Sequence, residues 1–300
     1  MTTPALTPSV PGAVSLSVIV VRFAGGDAIS ETLAALAPQV SAVAGEIVVA
    51  HRDDDAPSAA LRSAFPTVRW LAGALDASPA RLRSAGVRAS VGAIVACPED
   101  HCTPASDWSH CLLAAHARVH AIVGGAIDKA PTSSGAAWAA YLLDYARYMS
   151  PLPAGLSEHA SDCNVSYRRR DLDDVAVSWE DEFHETTVQW ALAACGVGVQ
   201  LDPAIVVGQH RDVVLAQYLR ERRAHGRIYA NTRIAGASFA ARARFATLAL
   251  LLPPVIVLRV RRLIASRGAA GTVPGSAWGP LVRAALAWSA GELDGYVGRR

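Results

Sequence analysis

The stretch PARLRSAGVRASVGAIVACPEDH (79–101) carries the pattern on which the predicted fold depends. Its first half, residues 79–90, predicts a helix that carries three arginines. Residues 93–97 are a run of small apolar side chains, which predicts a buried strand, and Pro98 ends that run. The polar sequence Glu-Asp-His (99–101) follows at once. The stretch therefore predicts a helix, a buried strand and a polar segment at the strand's end, which could be a metal site, a thiol site or an ordinary loop.

The same alternation of strand and helix extends upstream of this stretch. Helices are predicted over 31–40, which Ser30 is placed to cap and Pro38 to end or kink, and over 58–64. Three more apolar runs predict buried strands: VSLSVIVV (14–21), EIVVA (46–50) and VRWLAG (68–73).

This alternation over about 100 residues predicts an α/β fold with a mostly parallel, Rossmann-like sheet flanked by helices. Ligands of such sheets bind at the carboxyl ends of the strands. The polar segments that follow three of the strands are expected to meet there: RFAGGD (22–27), HRDDD (51–55) and PEDH (98–101).

The rest of the chain continues with helices and extended segments. Helices are predicted over 110–119, 136–149, 211–230 and within 179–196, and strands over 121–127 and 197–207. The predicted organisation is a loose Pro/Thr-rich tail (1–13), an α/β domain (14–232, with halves 14–128 and 129–232) and a helical tail (233–300).

The predicted helical tail is basic and apolar. It holds ten arginines against two acids, a net charge of +8, whereas residues 1–232 have a net charge of −6. The uncharged run 245–258 would cover about 21 Å as a helix, less than the roughly 30 Å of a bilayer core, and contains two prolines. Together with the apolar run 278–290, which has two tryptophans, it favours helices lying on a membrane surface. The alternative is that both helices cover the apolar face of the body. The tail is too apolar to favour nucleic acid as its partner.

The cysteines and the N-terminus predict a cytoplasmic protein, and the basic apolar tail favours a position at the inner face of the cell membrane. The five cysteines are odd in number and form no CxxC pair, which favours reduced thiols. Residues 1–13 have neither a basic segment nor a long apolar core, so no signal peptide is expected.

Carboxylates held at a strand end are oxygen ligands that suit Mg²⁺ or Mn²⁺, and an imidazole can join a Mn²⁺ site. A zinc site would instead require Cys97, His101 and Cys102 to converge. Cys97 lies in the apolar strand, where a buried and inert thiol is expected. The sequence therefore favours Mg²⁺ or Mn²⁺ over zinc.

The order of these segments resembles the inverting glycosyltransferases of family two, which have the GT-A fold. The resemblance covers roughly residues 14–230, and Gly86, Ala89 and Gly92 lie in register with the family's pattern before its DxD metal motif. Three later segments match further motifs: CNVSYRR (163–169), HETTVQWALAACG (184–196) and DPAIVVGQH (202–210).

The resemblance implies a divalent-metal-assisted enzyme that moves a sugar from a nucleotide-sugar donor to a glycan or lipid-linked acceptor at the cytoplasmic membrane face. It implies Glu185 as the general base, with Asp181 and Glu182 as runners-up. The implied metal ligands are Glu99, Asp100, His101 and His210, and the implied donor-binding residues are Asp53, Asp54, Asp55, Arg81, Arg83, Glu99 and Asp100. Contacts to the diphosphate or acceptor are implied for Asn164, Gln217, Arg220 and Arg223.

The sequence also departs from the family's pattern. His51 and Ser84 replace an aspartate and an asparagine, and His101 stands at the third position of DxD. The usual Glu-Asp pair aligns with His184 and Glu185. Two alternatives therefore stay open: a nucleotidyltransferase of related fold, and a membrane-associated scaffold that has lost turnover.

Overall fold

The computed structural model describes residues 14–22, 29–132, 134–234 and 238–298. The loose tail predicted for 1–13 and most of the loop at 22–27 lie outside the described residues. The chain divides into two compact units, the first made of Met1–Asp128 and Leu152–Gln209, the second of Lys129–Pro151 and His210–Arg300. This division differs from the predicted domain limits at 14–232 and 233–300.

The first unit is built on the mixed sheet that the described residues form. The strands are β1 (Leu16–Val21), β2 (Glu46–Arg52), β3 (Arg69–Gly73), β4 (Ile94–Ala96), β5 (Cys102–Pro104), β6 (Ile122–Lys129), β7 (Gly155–Ser157), β8 (Val165–Arg168) and β9 (Val199–Gln209). Their order is β3-β2-β1-β4-β8-β6-β9-β5, with β7 beside β9. The strands β3, β2, β1 and β4 are parallel, whereas β8 pairs antiparallel with β4 and β6. The regular alternation that predicts parallel strands ends after β4, and so does the parallel part of the sheet.

The helices of the first unit pack on this sheet. They are α1 (Ile29–Ala42), α2 (Ala59–Ala64), α3 (Pro79–Ala89), α4 (Trp108–Arg118), α6 (Arg169–Asp174) and α7 (Glu185–Ala194). The prediction that Ser30 caps α1 is wrong, because Ser30 lies inside the helix, and Pro38 does not end the helix. Burial of Leu36 and Val40 on either side of Pro38 holds the helix together past the proline.

Two glycines allow the helix α3 and the strand after it to approach β1 closely. A Cβ on Gly86 would lie 2.5 Å from Ile19 Cγ2, and a Cβ on Gly92 would lie 2.4 Å from the backbone nitrogen of Ser17. Both distances are well inside van der Waals contact, so neither position has room for a side chain. The two glycines of the family pattern are therefore explained here by packing.

The second unit is helical. Its helices are α5 (Gly135–Asp144), α8 (Leu215–Arg233), α9 (Phe239–Ala249), α10 (Leu252–Ser266) and α11 (Trp278–Val297). The helices α8 and α11 touch backbone to backbone, since a Cβ on Gly291 would lie 2.0 Å from the carbonyl oxygen of Arg223. One side of α11, including Leu281 and Ala284, is fully buried. The helix α11 thus packs against other helices of this unit.

The helices α9 and α10 carry most of the exposed apolar surface of the predicted tail. Large apolar side chains around their junction are more than two-fifths exposed: Leu248, Leu250, Leu251, Val255 and Leu258. Pro253 and Pro254 stand in the first turn of α10, where proline is tolerated. No described helix is long and apolar enough to cross a membrane alone, but α9 and α10, bent by 53°, pass that test as a pair.

Candidate active site

A cavity of about 300 Å³ opens at the carboxyl ends of the parallel strands in the first unit. Val21 ends β1, Arg83 lies in the first turns of α3, and Glu99 follows β4. Asp162 precedes β8, and Glu185 is the first residue of α7. The structure therefore brings three of the predicted site residues, Arg83, Glu99 and Glu185, to the wall of one cavity.

Glu185 and Arg83 form an ion pair across this cavity. Their side chains are 17% and 10% exposed, so the pair is largely shielded from solvent and each charge depends on the other. A carboxylate at the start of α7 also faces the positive end of the helix dipole. The predicted base is thus held in place by a predicted donor-binding residue.

The other two candidate bases and Arg81 lie outside this cavity. Glu182 accepts hydrogen bonds from Ser78 Oγ at 3.0 Å and from Arg81 Nε at 3.2 Å, and Asp181 is exposed. All three charged residues line a separate, shallower depression that Arg88 also borders. The structure therefore places Asp181, Glu182 and Arg81 at a different surface from Glu185 and does not bring them together with it.

Asp162 is a cavity residue that the sequence did not single out. Burial and the negative charge of Glu99 raise the pKa of Asp162 to about 6. Two carboxyl groups that share one small cavity favour either a shared proton or a bound cation. The only sequence signal was its position just before the CNVSYRR segment.

The Glu-Asp-His segment (99–101) does not present two carboxylates to the cavity. Glu99 lines the wall, but Asp100 is 1% exposed and its Oδ1 lies 3.3 Å from Nδ1 of His101. His101 Nε2 lies 3.1 Å from Glu99 Oε2. The imidazole therefore stands between the two acids, and Asp100 lies behind it.

The titration of Glu99 and His101 is coupled. Burial alone would lower the pKa of His101, but Asp100, Cys163 and Glu99 raise it to about 12. Burial alone would raise the pKa of Glu99, but the hydrogen bond and charge of His101 lower it to about 2. Without a metal ion, each of the two groups therefore favours the charged form of the other.

Two cysteines complete this group. Among the described residues, Glu99, His101, Cys102 and Cys163 each offer one ligand atom, and the four atoms all lie within 4.8 Å of one another. Cys163 Sγ donates a hydrogen bond to Glu99 Oε2 at 3.0 Å. Cys97, the thiol that the zinc alternative would have required, is buried, and burial raises its pKa to about 11. The thiol that joins Cys102 is thus Cys163, more than 60 residues from Glu99 in the chain.

Asn164 has a structural role. Its Nδ2 donates to the carbonyl oxygens of Ala126 at 2.8 Å and Ile205 at 2.9 Å, and its Oδ1 accepts from Trp108 Nε1 at 2.9 Å. The side chain is 2% exposed. Both amide protons are already used between strands β6 and β9, and a diphosphate or acceptor contact of Asn164 stays a prediction.

The acids after β2 form a short 3₁₀ turn, Asp53–Asp55, at the carboxyl edge of the sheet. Asp55 Oδ1 pairs with the buried Arg22 at 3.0 Å, and Asp54 pairs with Arg52 at 3.2 Å. Asp53 is exposed. Donor contact by these three aspartates stays a prediction.

The remaining predicted residues belong to the second unit. His210 is its first residue after β9, and Arg220 is exposed on α8. Gln217 Nε2 donates to Glu221 Oε1 at 2.8 Å, and Arg223 pairs with Asp294 at 2.8 Å. Their contacts to a metal, diphosphate or acceptor stay predictions.

No protein-family model matches the chain, and no curated protein matches it. Several solved structures are similar to the chain. The mannosyltransferase PcManGT from Pyrobaculum calidifontis, in complex with GDP-Man and Mn²⁺, has a TM-score of 0.55 and 15% identity, covering 94% of this chain and 87% of its own. GalNAc-T7, with UDP, GalNAc and Mn²⁺, has a TM-score of 0.54 and 15% identity, covering 75% of this chain and 52% of its own.

The chain has a GT-A fold. The fold class predicted from the sequence is therefore confirmed, with a sheet that is mixed outside the four parallel strands. In this GT-A fold the cavity with Arg83, Glu99 and Glu185 lies at the carboxyl edge of the parallel strands, where α/β sheets bind their ligands.

Proposed function

We propose that the chain is a glycosyltransferase that uses a nucleotide-sugar donor and inverts the configuration of the transferred sugar. One observation carries the proposal: a paired acid and arginine, Glu185 and Arg83, share a cavity with Glu99 at the ligand-binding edge of a GT-A fold. Two GT-A proteins to which it is similar, PcManGT and GalNAc-T7, were solved with GDP-Man and with UDP and GalNAc. The family-two resemblance of the sequence supports the inverting mechanism.

In this mechanism Glu185 acts as the general base. An oxygen of the acceptor hydroxyl forms a bond to the anomeric carbon of the sugar, and its proton passes to the Glu185 carboxylate. The bond between the anomeric carbon and the phosphate oxygen breaks, and the nucleoside diphosphate leaves with the electron pair. Attack from the face opposite the departing phosphate inverts the anomeric centre.

Arg83 can pair with two anions, the Glu185 carboxylate and the donor diphosphate. Without donor it pairs with the Glu185 carboxylate in a shielded cavity. A guanidinium also binds phosphate oxygens in a bidentate manner. We propose that the donor diphosphate competes for Arg83, so that donor binding frees the Glu185 carboxylate to accept a proton only when a leaving group is present.

The divalent cation that the resemblance implies is the third part of the proposal, and the Mn²⁺ in the two related structures supports a divalent ion. The four ligand atoms that lie within 4.8 Å of one another come from one carboxylate, one imidazole and two thiols, and the Asp162 carboxyl beside Glu99 in the cavity is not among them. This set does not fit the all-oxygen site that Mg²⁺ or Mn²⁺ prefers, since Asp100 is withdrawn behind His101. No chemical step above is routed through the metal.

We propose a glycan or lipid-linked acceptor and a position at the inner membrane face. The apolar side chains that α9 and α10 expose, followed by the basic residues Arg259, Arg261 and Arg262, are the composition of a segment that lies on anionic lipid. A lipid-linked acceptor would be presented at the same surface.

The test of the glycosyl-transfer proposal is release of nucleoside diphosphate from a panel of UDP- and GDP-sugars. Glu185→Gln should lower turnover at least 10²-fold, in the range of a general base, with donor binding retained. The matched control is Glu182→Gln, three residues away but outside the cavity, which should leave turnover within about twofold. Equal losses in both variants would contradict the role of Glu185. In a parallel assay with a nucleoside triphosphate and a sugar 1-phosphate as substrates, release of inorganic pyrophosphate would support the nucleotidyltransferase alternative.

The membrane proposal is tested by flotation with vesicles that contain anionic lipid. The double variant Leu251→Asp/Val255→Asp should lose most vesicle binding, because charge at the lipid-facing surface is costly. The control is Val91→Asp, at a side chain that is 68% exposed in the first unit. Vesicle binding that survives the double variant would overturn the assignment of this surface.

A further inference from the structure

The four-residue group beside the cavity is a built site with no role in the proton and sugar transfer described above. We propose that Glu99, His101, Cys102 and Cys163 bind a thiolate-preferring divalent metal ion, Zn²⁺ above all, in place of the oxygen-ligated ion that the resemblance implies. The proposal concerns metal binding by the free chain, so its test stands apart from the test of glycosyl transfer.

The geometry is close to that of a four-coordinate site. All four ligand atoms lie within 4.8 Å of one another, and Glu99 Oε2 is 3.0 Å from Cys163 Sγ and 3.1 Å from His101 Nε2. At Zn–S and Zn–N bond lengths of about 2.3 and 2.1 Å, tetrahedral ligand atoms are about 3.3–3.8 Å apart. Side-chain shifts of up to about 1 Å would therefore be enough to place the four atoms around one ion.

The second independent observation is the orientation of His101. Its Nε2 faces the other three ligands, while its Nδ1 lies 3.3 Å from the buried Asp100 carboxylate. Histidine ligands of metals almost always direct their other ring nitrogen to a carboxylate or carbonyl, which sets the tautomer and the ring orientation. Asp100 thus has the role of a residue that positions a ligand.

The types of side chain in this four-residue group favour Zn²⁺ over Mg²⁺ or Mn²⁺. Thiolate and imidazole ligands suit Zn²⁺, whereas Mg²⁺ and Mn²⁺ favour carboxylate, carbonyl and water oxygens. Cys102 and Cys163 are fully buried, and His101 is 4% exposed. Glu99 alone of the four also lines the cavity, so it is the ligand that an incoming anion could displace. A bound ion would in this way sit at the wall of the donor cavity.

The experiment uses the full chain after treatment with a chelator, with Co²⁺ as the spectroscopic probe and Zn²⁺ as the competitor. We expect one equivalent of Co²⁺ to bind with thiolate-to-cobalt charge-transfer absorption, and Zn²⁺ to displace it. The double variant Cys102→Ser/Cys163→Ser should abolish that absorption, whereas the controls Cys111→Ser and Cys195→Ser, at cysteines outside the group, should keep it. Asp100→Asn should keep the absorption but weaken Zn²⁺ binding about 10–100-fold.

Three results would overturn the proposal. The first is Co²⁺ binding without thiolate absorption, and the second is a Cys102–Cys163 disulfide in the freshly purified chain by mass spectrometry. The third uses only the unmutated protein, which removes any question of whether a variant folds. Zn²⁺ should raise the Tm of the chelator-treated chain, because an ion that binds only the folded state stabilises it, and Mg²⁺ should not. An unchanged Tm with Zn²⁺ would contradict the site.

Discussion

Replacing Asp162 by asparagine should stabilise the metal-free chain at neutral pH. The Asp162 carboxyl lies beside Glu99 in the cavity, and burial together with the negative charge of Glu99 raises its pKa from 3.8 to about 6. Glu99 stays ionised, since its pKa is lowered to about 2. Ionising Asp162 above pH 6 therefore places a second negative charge beside the first.

The sign and size of this effect follow from proton linkage. A carboxyl whose pKa is raised on folding contributes stability below its unfolded pKa of 3.8, and that contribution is lost as the pH rises through about 6. At 1.36 kcal/mol for each pKa unit the full loss is about 3 kcal/mol. Because the side chain is partly open to the cavity, solvent screening reduces this figure, and we expect about 1–2 kcal/mol.

The assay is urea unfolding of the wild-type chain and of Asp162→Asn, both treated with a chelator, at several pH values between 4 and 8. The free energy of unfolding of the variant should exceed that of the wild type by about 1–2 kcal/mol at pH 8, and the difference should shrink below pH 6. The matched control, Asp181→Asn at an exposed acid, should show no such pH dependence.

A difference between Asp162→Asn and the wild type that stays constant from pH 4 to pH 8 would refute this reasoning. It would mean that the Asp162 carboxyl titrates as in the unfolded chain, and hence that it is not held against the charge of Glu99.

Three further predictions follow from the packing and the cavity. Asn164→Ala should lower the free energy of unfolding, measured in urea, by about 3–5 kcal/mol, because three buried hydrogen bonds are lost. An unchanged unfolding midpoint together with lost turnover would instead support a binding role for Asn164. Gly86→Ala should lower the Tm, because the added Cβ would clash with Ile19. The control Gly198→Ala should leave the Tm unchanged, because no atom lies within 4 Å of its added Cβ. Equal Tm values for the two variants would contradict the close packing of α3 on β1. Arg83→Met should lower both stability and donor affinity, because the substitution leaves the buried Glu185 carboxylate without its partner. A stable variant that binds donor normally would exclude Arg83 from the donor site.

The fold could be predicted from the sequence wherever a local pattern controls it. The strands β1 to β4 and the helices between them follow from apolar runs and helix spacing, and they form the parallel half of the sheet. The antiparallel half depends on the pairing of β8 with β4 and β6, segments far apart in the chain. Local hydrophobic periodicity in the sequence does not indicate such long-range strand pairing. The same is true of α11, whose apolar side is covered by helices of its own unit.

The candidate site could be predicted in part for a similar reason. Glu99, Arg83 and Glu185 occupy motif positions, so their spacing along the chain was informative. Whether an acid next to them faces the cavity depends on side-chain direction: Glu182 turns to Ser78 and Arg81, whereas Glu185 turns inward. Cys163 lies in a matched segment, yet its approach to Glu99 is a tertiary contact that only the folded chain reveals.

The measurement that tests the central claim most directly is isothermal titration of the full chain with a panel of UDP- and GDP-sugars, in separate series with Mg²⁺, Mn²⁺ and Zn²⁺. The account predicts saturable binding of at least one nucleotide sugar, at one site per chain, that Arg83→Met weakens strongly and Glu182→Gln leaves unchanged. The absence of binding for every donor in every metal series would contradict the assignment of the cavity as a nucleotide-sugar site.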